Sequence, residues 1–369
     1  MKKILTALLL ISLMAFKPEE HPTLEIGATA PNFNLKGVDG KMYSLQSFSK
    51  AKVLAILFTC NHCPTAQAYE SRVKKLVTDY QAKGFQLVAI SPNDPSSVRL
   101  DEMGYTDLGD SYEDMKIRAK NAGFNFPYLY DGDTEEVSLK YGPVATPHIF
   151  IFDEKRILRY AGRIDDVEKP TGTPKNLDAR NAIEALLAGQ KVPVEKTKTF
   201  GCSIKWKEKE ALTNNEKESW AKESVNIETI DEAGIKSLLK NDSGKLRLVN
   251  VWATWCGPCV AEIPDFLNIN RMYRNRDFEL ITISADKPDK KDKALATLKR
   301  LQASSKNYIF NSDDAYKLIE LIDPKWQGAL PYTILIEPNG KIVYQKQGAI
   351  NPLKMKTLIV ENPAIGRYF

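Results

Sequence analysis

Six consecutive apolar positions, Val53-Leu54-Ala55-Ile56-Leu57-Phe58, predict a strand buried on both faces. Cys60-Asn61-His62-Cys63 ends the run, and apolar residues then recur at helical spacing as Tyr69, Val73, Leu76 and Tyr80. Residues 85–91 read as the next strand; 146–152 and 157–161 read as two more, around a turn at Asp153-Glu154-Lys155. The same order returns further along the chain. Residues 246–252 are strand-like, Cys256-Gly257-Pro258-Cys259 ends them, a helical stretch follows, and 278–284 form another strand. Residues 330–336 and 341–344 make a hairpin across Pro338-Asn339-Gly340. Strands alternating with helices predict the α/β class, and the matching order predicts a tandem duplication of one fold.

Between the halves, residues 191–224 are rich in Lys and Glu and read as an extension and linker. Phe200, Ile204 and Trp206 predict that its first part packs back on the first half, the charged remainder being a solvated linker or short helix. At the start, Lys2 and Lys3 precede an apolar run and then Lys17-Pro18-Glu19-Glu20, the pattern of a secretory signal peptide over 1–16. The run falls short of the roughly 20 apolar residues a spanning helix needs. The expected organisation is a signal peptide 1–16, a first domain 24–190, the extension and linker 191–224 and a second domain 225–369. The mature protein is expected to be exported, to the periplasm, with no membrane contact beyond the signal peptide.

Composition narrows the classes. With 43% hydrophobic and 27% charged residues, the 369-residue chain reads as an ordinary globular protein, which excludes collagen-like, mucin-like and wholly disordered chains. A net charge of +5 from 52 basic and 47 acidic residues is too small and too dispersed for a nucleic-acid footprint. Five cysteines are too few for a disulfide scaffold, so their spacing carries the information. In a CxxC pair placed where a strand turns into a helix, the first sulfur is expected at the helix N-terminus, where free N–H groups favour a thiolate. The second is expected one turn inside. Such a pair attacks a substrate disulfide and releases the product through its internal thiol. Each half also carries a proline entering a later strand, Pro147 and Pro331, which suits a cis bond presenting the preceding backbone to a peptide.

The motif Trp252-Ala253-Thr254-Trp255-Cys256-Gly257-Pro258-Cys259 resembles the thioredoxin active site. With Ala261-Glu262-Ile263-Pro264 following, residues 225–369 resemble the TlpA-like exported thiol-disulfide reductases. The resemblance implies Cys256 as attacking thiol, Cys259 as resolving thiol, Pro331 as the cis-proline, and Trp255 and Glu262 in support, the glutamate tuning the thiols. Asn250 stands where thioredoxin proper has a buried aspartate. Residues 24–206 resemble another branch, the peroxiredoxin-like (AhpC/TSA, redoxin) group, through 27–35, Asp39-Gly40-Lys41, 58–64 and Phe200-Gly201-Cys202-Ser203-Ile204-Lys205-Trp206. The peroxidase motif Pro-x-x-x-Thr-x-x-Cys is missing: counting back from Cys60 finds Val53 and Leu57, and from Cys63 finds Ile56 and Cys60. Together the resemblances imply two tandem thioredoxin-like folds, each a central mixed sheet flanked by helices.

The favoured expectation is an exported thiol-disulfide oxidoreductase acting through both pairs. Redox-active disulfides Cys60–Cys63 and Cys256–Cys259 would serve without cofactor or metal, on protein thiols and disulfides and an upstream thiol reductant. The alternatives are a thiol-dependent peroxidase and a soft-metal (copper or zinc) site. The metal would use Cys60 and Cys63 with one or both of His62 and His148, a mix that resembles the Sco-type copper proteins, whose pair is spaced by three residues and not two. Protonated His62 is expected to stabilise a Cys60 thiolate and make the first pair the more oxidising. Cys202 is either a buried cysteine beside Trp206 or a mixed-disulfide partner for the first pair. Residues 286–293, rich in Lys, read as a solvated helix start.

Overall fold

The structure, a computed structural model, describes residues 21–368; the expected signal peptide lies outside the described residues. The first half runs β1 (Asn34–Gly37), β2 (Met42–Ser44), β3 (Val53–Phe58), α1 (Pro64–Tyr80), β4 (Phe85–Ser91), α2 (Tyr112–Ala122), β5 (Tyr128–Tyr130), α3 (Glu136–Tyr141), β6 (His148–Phe152), β7 (Leu158–Gly162) and α4 (Asp178–Leu187). A helix α5 (Glu210–Ala221) follows. The second half runs β8 (Glu228–Ile230), α6 (Glu232–Lys240), β9 (Leu246–Trp252), α7 (Gly257–Tyr273), β10 (Phe278–Ser284), α8 (Lys291–Arg300), β11 (Lys306–Phe310), α9 (Ala315–Ile322), β12 (Tyr332–Ile336), β13 (Ile342–Gln347) and α10 (Pro352–Glu361).

Each half is an α/β layer structure around a mixed sheet. The orders are β2-β1-β5-β4-β3-β6-β7 and β13-β12-β9-β10-β11-β8. The shared part is a strand, β3 or β9, paired in parallel with the strand after its helix and antiparallel with the strand that opens the later hairpin. Every residue of β3 is buried, and its period of two divides the core. Val53, Ala55 and Leu57 pack with Tyr69, Val73 and Leu76 of α1, while Leu54, Ile56 and Phe58 pack with Phe150 and Phe152 on the other face. In β9 the same alternation turns Leu248, Asn250 and Trp252 away from the face of Val249 and Val251.

The segment after α4 belongs with the first sheet as far as Trp206. Its backbone bonds Ala161 of β7, then crosses to pair with Thr146 through Cys202, and Ile204 and Trp206 are buried. The charged remainder forms α5, which lies between the halves. Thr213 donates to the Ser96 carbonyl on one side, and Trp220 sits under the Arg271 guanidinium on the other, 4.3 Å from ring centroid to Cζ.

A loop of the first half, residues 98–110, docks on α7 and α10. Tyr273 donates to the Thr106 carbonyl (2.6 Å) and Arg276 to that of Gly104 (2.7 Å), while Met103 joins the core of the second half. Asp107 accepts a two-pronged ion pair from Arg367 (2.8 and 3.1 Å) and a hydrogen bond from Thr357. Burial opposes ionisation of Asp107, but these partners outweigh it and hold its carboxyl below the usual range. The stability it contributes is therefore present above the ordinary carboxylate pKa and is lost as pH falls through the depressed value. Arg367→Ala should cost about 3 kcal/mol at neutral pH by stranding a buried carboxylate. Calorimetry should show the halves unfolding in separate transitions, with the acid-side loss of stability reduced.

Candidate active site

The sheet register sets the two cysteine motifs in correspondence. Thr146–Pro147 and Leu330–Pro331 are both cis, and the residue after each proline pairs antiparallel with the central strand: His148 with Phe58, Tyr332 with Val251. Phe58 and Val251 are thus equivalent. Counting on from each, Cys63 falls where Cys256 falls. The helix starts agree: Cys63 caps α1 and accepts from Ala66 N (3.4 Å), and Cys256 caps α7 and accepts from Cys259 N (3.3 Å).

The expectation that the first cysteine of each motif sits at the helix start holds only in the second half. In the first half Cys60 lies in the loop three residues before the cap, at the place of Ala253, and Ala66 stands where Cys259 stands. The reason is helix phasing: Pro64, which lacks an N–H, is accommodated at the first helical position and fixes Cys63 as the cap.

The second centre is a formed disulfide, Cys256–Cys259, with Cα atoms 5.3 Å apart. The loop before it is tied to Asp286, which accepts from both Thr254 N and Thr254 Oγ1 at 2.8 Å. Asp286 is itself buried, so residues 286–293 are not solvated throughout as expected. Trp255 is 68% exposed and lines a cleft of about 200 Å³ with Phe310 and Leu318. Beneath the pair, Glu262 is buried, accepting from Asn250 Nδ2 (3.2 Å) and Ile350 N (3.1 Å). Burial raises its carboxyl pKa against those two bonds. At the equivalent place under the first centre stands Tyr69, whose hydroxyl donates to Asp165.

The first centre is buried. Cys63 is fully covered and Cys60 is 3% exposed, while Cys202, the third sulfur packed there, is partly exposed. All three are free thiols in this structure. Cys63 Sγ accepts from the backbone N–H groups of Ala66 and Cys202, both at 3.4 Å. It lies 3.2 Å from the Thr146 carbonyl, to which its thiol form donates, and Cys60 Sγ lies 3.1 Å from Thr146 Oγ1. His62 is held through Nδ1 by Asp110 (2.6 Å), whose carboxylate also accepts from Asn61 N, His62 N and Asn93 Nδ2.

These contacts separate the three thiols. Burial opposes ionisation of Cys63, but the Cys202 and Cys60 thiols, the His62 charge and the Ala66 N–H outweigh it and bring its pKa well below the usual 9.0. Burial, the bond to Cys63 and the Asp110 charge push Cys60 well up. The bond to Cys63, then burial, raise Cys202. For His62, burial favours the neutral ring, but Asp110 outweighs it and raises the pKa. The expected service of His62 to a Cys60 thiolate is therefore corrected: the imidazolium favours the thiolate at Cys63.

Residues 26–161 match the AhpC/TSA family and residues 221–359 the Redoxin family. A thiol-disulfide oxidoreductase ResA of Bacillus thuringiensis (strain Al Hakam) is 30% identical over 134 residues, 36% of this chain and 73% of that protein. The chain belongs to the thioredoxin superfamily. It is a thiol-disulfide oxidoreductase. Among solved structures, an uncharacterized conserved protein from Geobacillus kaustophilus is 38% identical, with 50% of this chain and 93% of that one covered and a TM-score of 0.44. A hypothetical protein, SMc02350, from Sinorhizobium meliloti 1021 is 31% identical, covering 50% and 96%, also with a TM-score of 0.44.

Within this thioredoxin-superfamily chain, the structure brings Cys60, His62, Cys63 and Cys202 together at one centre and Trp255, Cys256, Cys259 and Glu262 at the other. His148 does not join the first. Its Nδ1 accepts from Val144 N, its ring packs 4.4 Å from that of Phe150, and burial lowers its pKa to about 3. Ligand atoms of Cys60, His62 and Asp110 lie within 4.8 Å of one another, the spacing a cation needs. Asp110 already spends both oxygens on four donors, whereas His62 Nε2 is buried with no hydrogen-bond partner among the described residues. Asp110, Thr146 and Asp286 are site residues the sequence reading missed. Thr146 was available as the residue before Pro147; Asp110 lies 48 positions from His62 with no local signal.

Because the Glu262 pKa is raised from 4.5, its contribution to stability is full below that value and is lost as pH rises through the folded-state value. Glu262→Gln should therefore lose less stability between pH 4 and pH 8 than the parent. Paired urea titrations at the two pH values read the difference directly.

Proposed function

We propose that this oxidoreductase is an exported enzyme that exchanges disulfides with protein substrates through two thiol centres, the second being the one that meets folded partners. The Cys256–Cys259 disulfide carries this reading: it lies at the start of α7, beside an exposed tryptophan and a shallow cleft. Next to it the backbone N–H of Leu330 has no hydrogen-bond partner among the described residues and is free for an incoming strand. In the reduced enzyme Cys256 attacks a substrate disulfide, a mixed disulfide forms, and Cys259 displaces the reduced substrate while closing the internal cystine. An upstream dithiol then reopens it. The chemistry needs no cofactor beyond the chain's own sulfurs. The basic start and apolar run of the first 16 residues support export to the periplasm.

Peroxidase chemistry fits less well, since Cys60 occupies the place of the threonine that would donate to a peroxide bound at Cys63. The test is insulin reduction by the full chain supplied with dithiothreitol, followed as turbidity. The parent should accelerate precipitation, and Cys256→Ser should return it to the rate of dithiothreitol alone. Cys63→Ser should leave most of the acceleration. Equal rates with and without the parent protein would contradict the reading. Stoichiometric Cu(I) or Zn(II) on the reduced protein, lost in Cys60→Ala, would favour the metal-site reading of the first centre instead.

A further inference from the structure

The first centre is covered by the chain itself. Cys202 forms an antiparallel bridge with Thr146, the residue before Pro147: Thr146 N donates to Cys202 O at 2.9 Å, and Cys202 N donates to Cys63 Sγ. This is the place that in the second half lies open at Leu330. The segment is fitted to it. Gly201 has φ +135°, and a Cβ there would lie 2.0 Å from the Thr146 carbonyl oxygen, so only glycine permits the approach. Phe200 packs against Tyr69, and further on Lys205 N donates to Asn93 Oδ1 while the Lys205 carbonyl accepts from Asp94 N. A cysteine is thus threaded across the first centre in the manner of a bound peptide, with its sulfur packed on Cys60 and Cys63.

We propose that Cys202 is the exchange partner of Cys63, and that the first centre alternates between free thiols and a Cys63–Cys202 disulfide, with Cys202 as the sulfur that meets external disulfides. This rests on the disulfide-exchange reading of the first centre. Cys202 is the most exposed of the three cysteines, and no cysteine stands at the in-helix position 66 to resolve a mixed disulfide. In the reducing direction Cys202 sulfur attacks a disulfide RSSR, forming Cys202–S–S–R, and its proton passes to the departing RS⁻, which leaves as RSH. The Cys63 thiolate then attacks Cys202 Sγ and expels the second RS⁻. Two electrons pass from the cysteine pair to RSSR, and the protein keeps the Cys63–Cys202 bond.

The experiment oxidises the fully reduced full-length chain with oxidised glutathione, blocks free thiols, and maps disulfides by mass spectrometry without reduction. The proposal expects a Cys63–Cys202 cross-linked peptide, retained in Cys60→Ala and lost in Cys202→Ser. Finding only Cys60–Cys63, with Cys202 blocked as a free thiol, overturns the proposal but leaves the first centre an exchange site. Finding no disulfide among the three while Cys256–Cys259 forms overturns the exchange reading of this centre as well.

Discussion

A thiolate removed from water must be given hydrogen-bond donors in return, and everything around the two sulfur centres follows from where those donors are. The supply is the first turn of a helix, whose N–H groups have no partner within the helix. For the turn to face a sulfur, the chain must leave a buried strand, make a short loop and begin the helix with cysteine as its cap. That sequence of events occurs twice here, at Cys63 and at Cys256, in the same register against the neighbouring strands. The sheet exists in each half to fix that geometry, and the continuous apolar runs of β3 and β9 hold it rigidly in the core.

What the two halves add to the shared frame differs in kind. Under the second centre lies a buried carboxylate, Glu262, beside Asn250; under the first lies the Tyr69 phenol, with the His62–Asp110 pair to one side. A neutral or cationic setting favours negative charge on sulfur, and an acidic one disfavours it, so the two centres are not copies in chemistry. Their loops are tied down by the same means. Asp286 accepts the Thr254 N–H in one half and Asp110 accepts the N–H of Asn61, its positional counterpart, in the other. The loop that supplies Asp110 also supplies Asp107 to Arg367, so the first centre and the junction between the halves share one short stretch of backbone.

Much of this was legible in the sequence because it is local. The α/β class, the repeated order of elements and both cysteine motifs can be read from six-residue apolar runs, spacing of three and four, and two short patterns. The burial of Tyr69, Val73, Leu76 and Tyr80 on one face of α1 followed from their periodicity. The phase of the first motif did not. A CxxC string does not say which of its cysteines caps the helix, and Pro64 settles that only once the sheet register is known. Asp110 and the crossing of Cys202 over Thr146 were illegible for a related reason: tertiary contacts at such separations leave no periodic trace. The supporting place of Glu262 was implied by the family resemblance, but its bonds with Asn250 and Ile350, 12 and 88 positions away, were not.

The chemistry of the first centre depends on Cys63 being its ionised sulfur. Its most direct test is carbon-13 NMR of the reduced chain labelled at cysteine Cβ, followed across pH, since that shift reports ionisation without requiring access by a reagent. Cys63 should titrate well below the usual thiol value of 9.0, and Cys60 and Cys202 well above it. A spectrum in which Cys60 ionises first, with Cys63 still protonated at neutral pH, would contradict the assignment of Cys63 as the thiolate of the first centre.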